Sequence, residues 1–156
     1  MASTTSSSPL PSGRAIFTKM PDLLFIPEIV AGGLVWTLLA ATDALVYIPR
    51  LEGWVVFVSI FCFVVTTIWL ICFASGVNQK GAYWPTLDVA YHAIATAFYL
   101  SAAVLLAIIT SSMSPPPLTP HQSEYRHHVA AVVMAYTATL LYAVHTVLSA
   151  IRWKSS

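Results

Sequence analysis

Charged side chains are scarce in this sequence of 156 residues, which has the length of a single domain. Only 8% of the residues are Asp, Glu, Lys or Arg, whereas 58% are hydrophobic. A soluble domain needs roughly a quarter of its residues charged to cover its surface, so this composition excludes a water-soluble domain. The formal net charge is only +1, and no basic stripe is present that would neutralise phosphates. We therefore predict a membrane protein with no nucleic-acid partner.

Cysteine is also rare, and the motifs that mark common active sites are missing. Cys62 and Cys72 fall in one apolar segment, about 15 Å apart along a helix, which is too far for a disulfide. Neither lies in a predicted loop, so we expect no disulfide framework on the outer surface. The sequence contains no Gly-rich phosphate loop, nucleophile elbow or carboxylate pair. We expect neither enzyme activity nor a bound cofactor.

Long apolar runs dominate what is present, and each is about as long as a helix that crosses a bilayer. The runs cover residues 23–42, 54–75, 89–110 and 129–151. Membrane spans of this kind must be helical, because a lipid-facing loop or sheet edge would leave backbone groups unpaired. We predict an all-α polytopic membrane protein with a four-helix transmembrane bundle at residues 18–152. A flexible Ser/Thr/Pro-rich tail at 1–17 precedes it, and a short tail at 153–156 follows it.

Lysine and arginine are distributed unevenly between the two sides of this bundle. One side holds the N-terminal tail, the loop between the second and third spans, and the C-terminus. Its basic residues are Arg14, Lys19, Lys80, Arg152 and Lys154, whereas the other side has Arg50 and Arg126. Because basic residues accumulate on the cytosolic side of membrane proteins, we predict that both termini are cytosolic.

Small residues recur at every fourth position on three of the predicted helices. Stripes of this kind let helices approach closely in a membrane, where the hydrophobic effect does not drive association. We predict that the third and fourth helices pack on them. The stripes are Gly33, Thr37 and Ala41; Ala93, Ala97 and Ser101; and Ala131, Ala135, Thr139 and Ala143.

Three ionisable residues lie at similar depth on three different predicted helices. Glu28, His92 and His145 are all roughly 5 to 9 Å from the cytosolic ends of their helices. Asp88 is one helical turn before His92 and can orient its imidazole. We predict that the four residues form one intramembrane polar cluster. Its role stays open between interhelical hydrogen bonds, which we favour, a proton or cation path, and a haem held by His92 and His145.

Two further groups of residues are weaker candidates for chemistry. Cys72 lies near the cytosolic end of the second span, a position where thiols are often acylated. His121, His127, His128 and Glu124 are near one another in the last outer loop and at the start of the fourth span. Zinc sites usually show tighter spacing, so we interpret these histidines as solvated and expect no metal site.

Nine short runs of this sequence match a known family. They are PDLLFI (21–26), GGLVW (32–36), GWV (53–55), FVS (57–59), FCFV (61–64), TLD (86–88), AYH (90–92), FYLSA (98–102) and RWKSS (152–156). These runs resemble proteolipids of the MARVEL-domain family. The resemblance extends from Leu10 to Ser156 and covers all four spans. It implies a four-helix MARVEL bundle in ordered membrane rich in cholesterol and glycosphingolipids. It also implies action in vesicle traffic, including apical transport, and in myelin organisation.

The resemblance also gives expectations about location and partners. It implies residence in the plasma membrane, apical or myelin, and in trans-Golgi and endosomal vesicles, with membrane lipids and cargo proteins as partners.

Sorting of the protein by bilayer thickness requires clusters of protomers, because each ångström of mismatch between span and bilayer costs only a fraction of a kcal/mol. We therefore predict self-association. The alternative function is a small channel or proton/cation transporter that uses Glu28, His92 and His145.

The last residues of the chain also match the family's ending. They are interpreted either as a cytosolic sorting determinant or as a basic anchor with an interfacial tryptophan. This segment consists of Arg152, Trp153, Lys154, Ser155 and Ser156.

Overall fold

Four long helices form the body of the computed structural model, which describes residues 10–42, 49–113 and 122–155. Each belongs to a segment that is long and apolar enough to cross a membrane. No strand occurs among the residues in these three ranges. The prediction of an all-α, four-span architecture is confirmed. The helices are α1 (Phe25–Ala40), α2 (Pro49–Ala74), α3 (Trp84–Ser112) and α4 (Gln122–Ser155).

α3 and α4 extend beyond the apolar runs from which they were predicted, whereas α1 is shorter than its run of residues 23–42. α3 begins at Trp84, with Pro85 in its first turn, instead of residue 89. α4 begins at Gln122 instead of residue 129 and continues to Ser155. Hydropathy marks only the part of a helix that needs lipid, whereas its ends depend on capping and on proline or glycine. Gly76, which has a left-handed φ of 75°, accordingly follows the end of α2.

The N-terminal segment is more ordered than its composition indicates. A 3₁₀ helix at Gly13–Phe17 places Ile16, which is fully buried, against the bundle. The side-chain amide of Asn78 donates a hydrogen bond of 2.9 Å to the backbone carbonyl of Pro11. The prediction of a flexible tail is therefore wrong for residues 10–17, because the buried side chain of Ile16 and the hydrogen bond from Asn78 hold them against the bundle. Residues 1–9 lie outside the described ranges.

The bundle core combines tyrosines with small residues. Tyr99 of α3 and Tyr142 of α4 stack with ring centroids 5.4 Å apart. α1 approaches this pair so closely that a Cβ atom on Gly32 would lie 2.7 Å from the Tyr99 hydroxyl oxygen. Alanines let α3 and α4 pack tightly around the tyrosines. The buried alanines of these two helices are Ala95, Ala102, Ala103, Ala131, Ala135 and Ala138.

The small-residue stripe predicted on α3 does not face the bundle. Ala93, Ala97 and Ser101 are exposed, so the prediction that α3 packs on this stripe is wrong for the single chain. The buried face of α3 instead includes His92 and Tyr99. Ionisable groups are very unfavourable against lipid, so the need to bury His92 decides which face of α3 turns inward.

The other two stripes are oriented differently from each other. On α1, Gly33 is half-buried near Phe63, whereas Thr37 and Ala41 are exposed. On α4, the stripe lies on the packed side of the helix. Its members are Ala131 and Ala135, which are buried, and Thr139 and Ala143, which are half-buried.

Candidate functional site

The structure brings together all four residues of the polar cluster, which is defined here as Glu28, Asp88, His92 and His145. Each of their side chains is fully buried. Glu28 is in the first turn of α1, Asp88 and His92 are one turn apart on α3, and His145 is on α4. α1 begins and α4 ends at the same end of the bundle. We call that end of the bundle the terminal end. The polar cluster therefore lies close to the terminal end, between three helices.

The Glu28 carboxylate lies between two imidazoles. The Nδ1 atom of His145 donates a hydrogen bond of 2.8 Å to Oε1 of Glu28. The Nε2 atom of His92 is 3.7 Å from Oε2 of the same carboxylate. The two imidazole rings stack on each other, with centroids 3.6 Å apart and an interplanar angle of 22°. Haem iron takes its axial ligands from opposite faces, so stacked rings cannot supply both of them.

Asp88 anchors the cluster to the terminal end. Its Oδ2 atom accepts hydrogen bonds from Ser149 at 2.6 Å and from Arg152 at 3.0 Å. Its Oδ1 atom accepts a hydrogen bond of 3.2 Å from the indole of Trp69. Arg152 also binds Asp22 through one nitrogen, at 2.8 and 3.0 Å from the two carboxylate oxygens. One guanidinium therefore joins two buried carboxylates from different elements.

These contacts change the interpretation of the C-terminal segment. Arg152 is half-buried and is held by two carboxylates, so it has a structural role within the bundle. Trp153, Lys154 and Ser155 are exposed on the last turn of α4, which shows that residues 153–155 are helical. Ser156 lies outside the described residues.

Hydroxyl groups continue the polar interior away from the cluster. The Thr66 hydroxyl lies 2.8 Å from the Tyr91 hydroxyl and 2.6 Å from the Tyr142 hydroxyl. Tyr91 donates a hydrogen bond of 3.2 Å to the backbone carbonyl of Cys62. The Tyr142 ring centroid is 5.9 Å from that of His92. Neither Thr66 nor Tyr91 was predicted as part of the site, because single hydroxyl residues in an apolar run give no distinctive pattern.

A second buried acid and histidine meet at the opposite end of the bundle. The Nε2 atom of His128 is 3.0 Å from Oε1 of Glu52, and both residues are buried. The interpretation of His128 as a solvated loop residue is therefore wrong. Its neighbour His127 bonds instead to the backbone carbonyl of Ser123 at 2.6 Å. The sequence did not predict Glu52 as a site residue, and its contact with His128 became apparent only because α4 begins before His128.

Both cysteines carry free thiols. Cys62 is buried in the core, whereas Cys72 is half-buried near the end of α2. The side of Cys72 that faces inward packs against a cluster that contains Phe25 and Phe73. Acylation of Cys72 stays a prediction. His121, which was grouped with the outer histidines, lies outside the described residues.

Comparisons with known proteins identify relatives over nearly the whole chain. The family model described as MARVEL, a membrane-associating domain, matches residues 17–148. Human "Myelin and lymphocyte protein" is 52% identical over 155 residues, which cover 99% of this chain and 98% of the relative. Its dog counterpart is 50% identical over the same shares. Bovine "CKLF-like MARVEL transmembrane domain-containing protein 8" is 36% identical over 98% of this chain and 84% of the relative. No solved structure matches significantly.

Proposed function

Because the chain belongs to the MARVEL family of membrane-associating domains, we propose that it organises ordered membrane rich in cholesterol and glycosphingolipids. The proposed task is vesicle traffic, including apical transport, and organisation of myelin membrane. The chain is a multi-pass integral membrane protein. We assign it to the plasma membrane, apical or myelin, and to trans-Golgi and endosomal vesicles. Relatives named for myelin and lymphocytes support this proposal.

The surface of the bundle is apolar whereas its interior contains paired polar residues, and this contrast supports the proposal. Large apolar side chains are exposed on every helix, including Val30, Ile71, Ile108 and Leu140. Buried acids and histidines are engaged with one another between the helices. A surface of this kind is suited to lipid, and helix contacts fix the polar interior. The lipid-facing surface is therefore the part available for a non-enzymatic, membrane-organising role.

The lengths of α2 and α3 support a preference for thick membrane, although α1 has only 16 residues. α2 has 26 residues and α3 has 29. At 1.5 Å per residue, α2 is about 39 Å long, which exceeds the hydrocarbon thickness of an average bilayer of about 30 Å. A thicker, sterol-rich bilayer of about 32–33 Å fits such helices better when their tilt is modest. The small cost per ångström of mismatch means that several protomers must associate to sort efficiently.

Partition between lipid phases tests this function. Protein purified from cells that acylate cysteines is labelled and placed in giant vesicles that contain cholesterol and glycosphingolipid. We expect enrichment in the ordered phase because of span length. Cys72→Ser measures the contribution of acylation, and Cys62→Ser is the matched control because its thiol is buried. Exclusion of the unmodified chain and both variants from the ordered phase would contradict the proposal.

A second candidate function, a small channel or proton/cation transporter, is favoured by one observation. Glu52 and His128 are buried at the end of the bundle opposite the polar cluster, so ionisable groups occur near both ends of the interior. The hydroxyl of Thr66 also lies within hydrogen-bond distance of the hydroxyls of both Tyr91 and Tyr142. Chains of hydroxyl and imidazole groups can carry protons.

Proton flux into vesicles with a trapped pH-sensitive dye tests this second candidate. Thr66→Val removes the hydroxyl that joins two tyrosines while it retains the side-chain shape. A transporter would give flux with the unmodified chain and would lose it in this variant. Thr67→Val is the matched control, because the Thr67 hydroxyl bonds only to the backbone of its own helix. Equal flux in vesicles with and without protein would exclude the transporter.

A further inference from the structure

We propose that Glu28, His92 and His145 bind a zinc ion inside the bundle, near the terminal end. One ligand atom from each residue lies within 4.8 Å of the others. Two imidazole nitrogens and one carboxylate oxygen form a ligand set that zinc prefers. The three residues come from three different helices, so a bound ion would join α1, α3 and α4. This inference does not depend on the function proposed above.

Unpartnered atoms in the polar cluster are the first argument for a ligand. Oε2 of Glu28, Nε2 of His92 and Nε2 of His145 are buried and have no hydrogen-bond partner. Buried polar atoms are rarely left in this condition, because water no longer solvates them. Each of the three residues therefore retains a lone pair or proton without a partner, which a metal ion would satisfy.

The hydrogen bonds on the other side of His92 are those expected of a metal ligand. Its Nδ1 atom donates to the backbone carbonyl of Asp88 at 2.7 Å. The carboxylate of Asp88 lies 3.3 Å from the same nitrogen. Metal-bound histidines usually donate their second ring N–H to a carbonyl or carboxylate in this way, which fixes the tautomer. Nε2 of a neutral His92 is then free to bind the ion.

The net charge of the buried carboxylates also favours a bound cation. The carboxylates of Asp22, Glu28 and Asp88 are buried, and within the described ranges Arg152 is the one permanent cation that contacts any of them. Uncompensated charge is very unfavourable in a low-dielectric interior. With three negative charges and one positive, neutrality requires either one divalent cation or two additional protons.

The stacking of the imidazoles favours the divalent cation. If both His92 and His145 were protonated, two like charges would face each other with ring centroids 3.6 Å apart. A zinc ion between neutral imidazoles removes this repulsion and supplies both charges. Because imidazole lone pairs lie in the ring plane, one of the two rings must turn for both nitrogens to reach the same ion. We expect this turn to break the stacking.

Metal titration of purified protein tests the site. The chain is prepared in detergent with a tag that contains no histidine and is titrated with zinc or with cobalt(II), which absorbs visible light when four-coordinate. We expect one equivalent of metal per chain and cobalt absorption in the unmodified protein. His92→Ala and His145→Ala should each lose both signals. His128→Ala is the matched control, because it removes a buried histidine that is also paired with a glutamate.

One further variant separates metal binding from folding. His145→Cys keeps a metal ligand at the same position, so we expect bound cobalt with a new thiolate-to-cobalt absorption band. A cobalt spectrum identical to that of the unmodified chain would show that residue 145 is not a ligand and would overturn the proposal. The same conclusion follows if the unmodified protein binds no metal, since the cluster is then neutralised by protons. Equal metal loss in His128→Ala would also overturn it.

Discussion

Replacement of Arg152 with methionine is expected to destabilise the bundle more than any other single change considered. The substitution removes the guanidinium that binds Asp22 and Asp88. Both carboxylates are almost completely buried, so neither gains water in compensation. Breaking a buried ion pair typically costs about 3–5 kcal/mol, and we expect the lower part of this range because Arg152 is itself partly exposed. Thermal unfolding in detergent measures the effect.

Two variants identify the cause of this destabilisation. Lys154→Met removes the same charge from the same helix end. Because Lys154 is exposed, the melting temperature of this variant should be close to that of the unmodified protein. Asp22→Asn combined with Arg152→Met removes one of the uncompensated carboxylates. The double variant should recover part of the lost stability, because the two residues interact directly. A melting temperature of Arg152→Met equal to that of Lys154→Met would contradict the role of the guanidinium.

Replacement of Glu52 with leucine should give the second large effect, at the opposite end of the bundle. The substitution leaves the buried imidazole of His128 without its carboxylate partner. An unsatisfied buried polar group costs about 1–3 kcal/mol, and more if it is charged. The pair also joins α2 to α4, so its loss should loosen the contact between these helices. We expect a lower melting temperature in detergent and faster proteolysis near the start of α4.

The double variant Glu52→Leu with His128→Phe provides the matched control. Apolar side chains of similar volume often replace a buried ion pair with little loss of stability, since neither partner is left unpaired. The double variant should therefore melt at a higher temperature than Glu52→Leu alone. If the single and double variants have the same melting temperature, the contact between Glu52 and His128 does not contribute to stability.

Much of the candidate site could be predicted from the sequence because a membrane limits where ionisable residues can lie. Glu28, His92 and His145 stand out in apolar runs, and their similar depth in three spans indicated that they could meet. Depth does not define rotation about a helix axis, however. Thr66 and Tyr91 were missed for this reason, since hydroxyl residues are tolerated on either face of a membrane helix.

The packing of α3 gives the clearest failure of a sequence pattern. Ala93, Ala97 and Ser101 form a regular stripe, yet they are exposed. Small residues permit close approach but do not require it, whereas His92 must leave the lipid. The more costly requirement therefore decided the rotation of the helix.

The sequence by itself determined the class of the protein, its four membrane spans and its family. These features depend on composition, on the length of apolar runs and on residue identity, all of which are given by the order of residues in the chain. Only the tertiary structure decided that Arg152 joins Asp22 to Asp88, that the two imidazoles stack beside Glu28, and that Ile16 is buried. These contacts join residues far apart in the chain. Their distances depend on helix rotation and crossing, which local hydropathy does not specify.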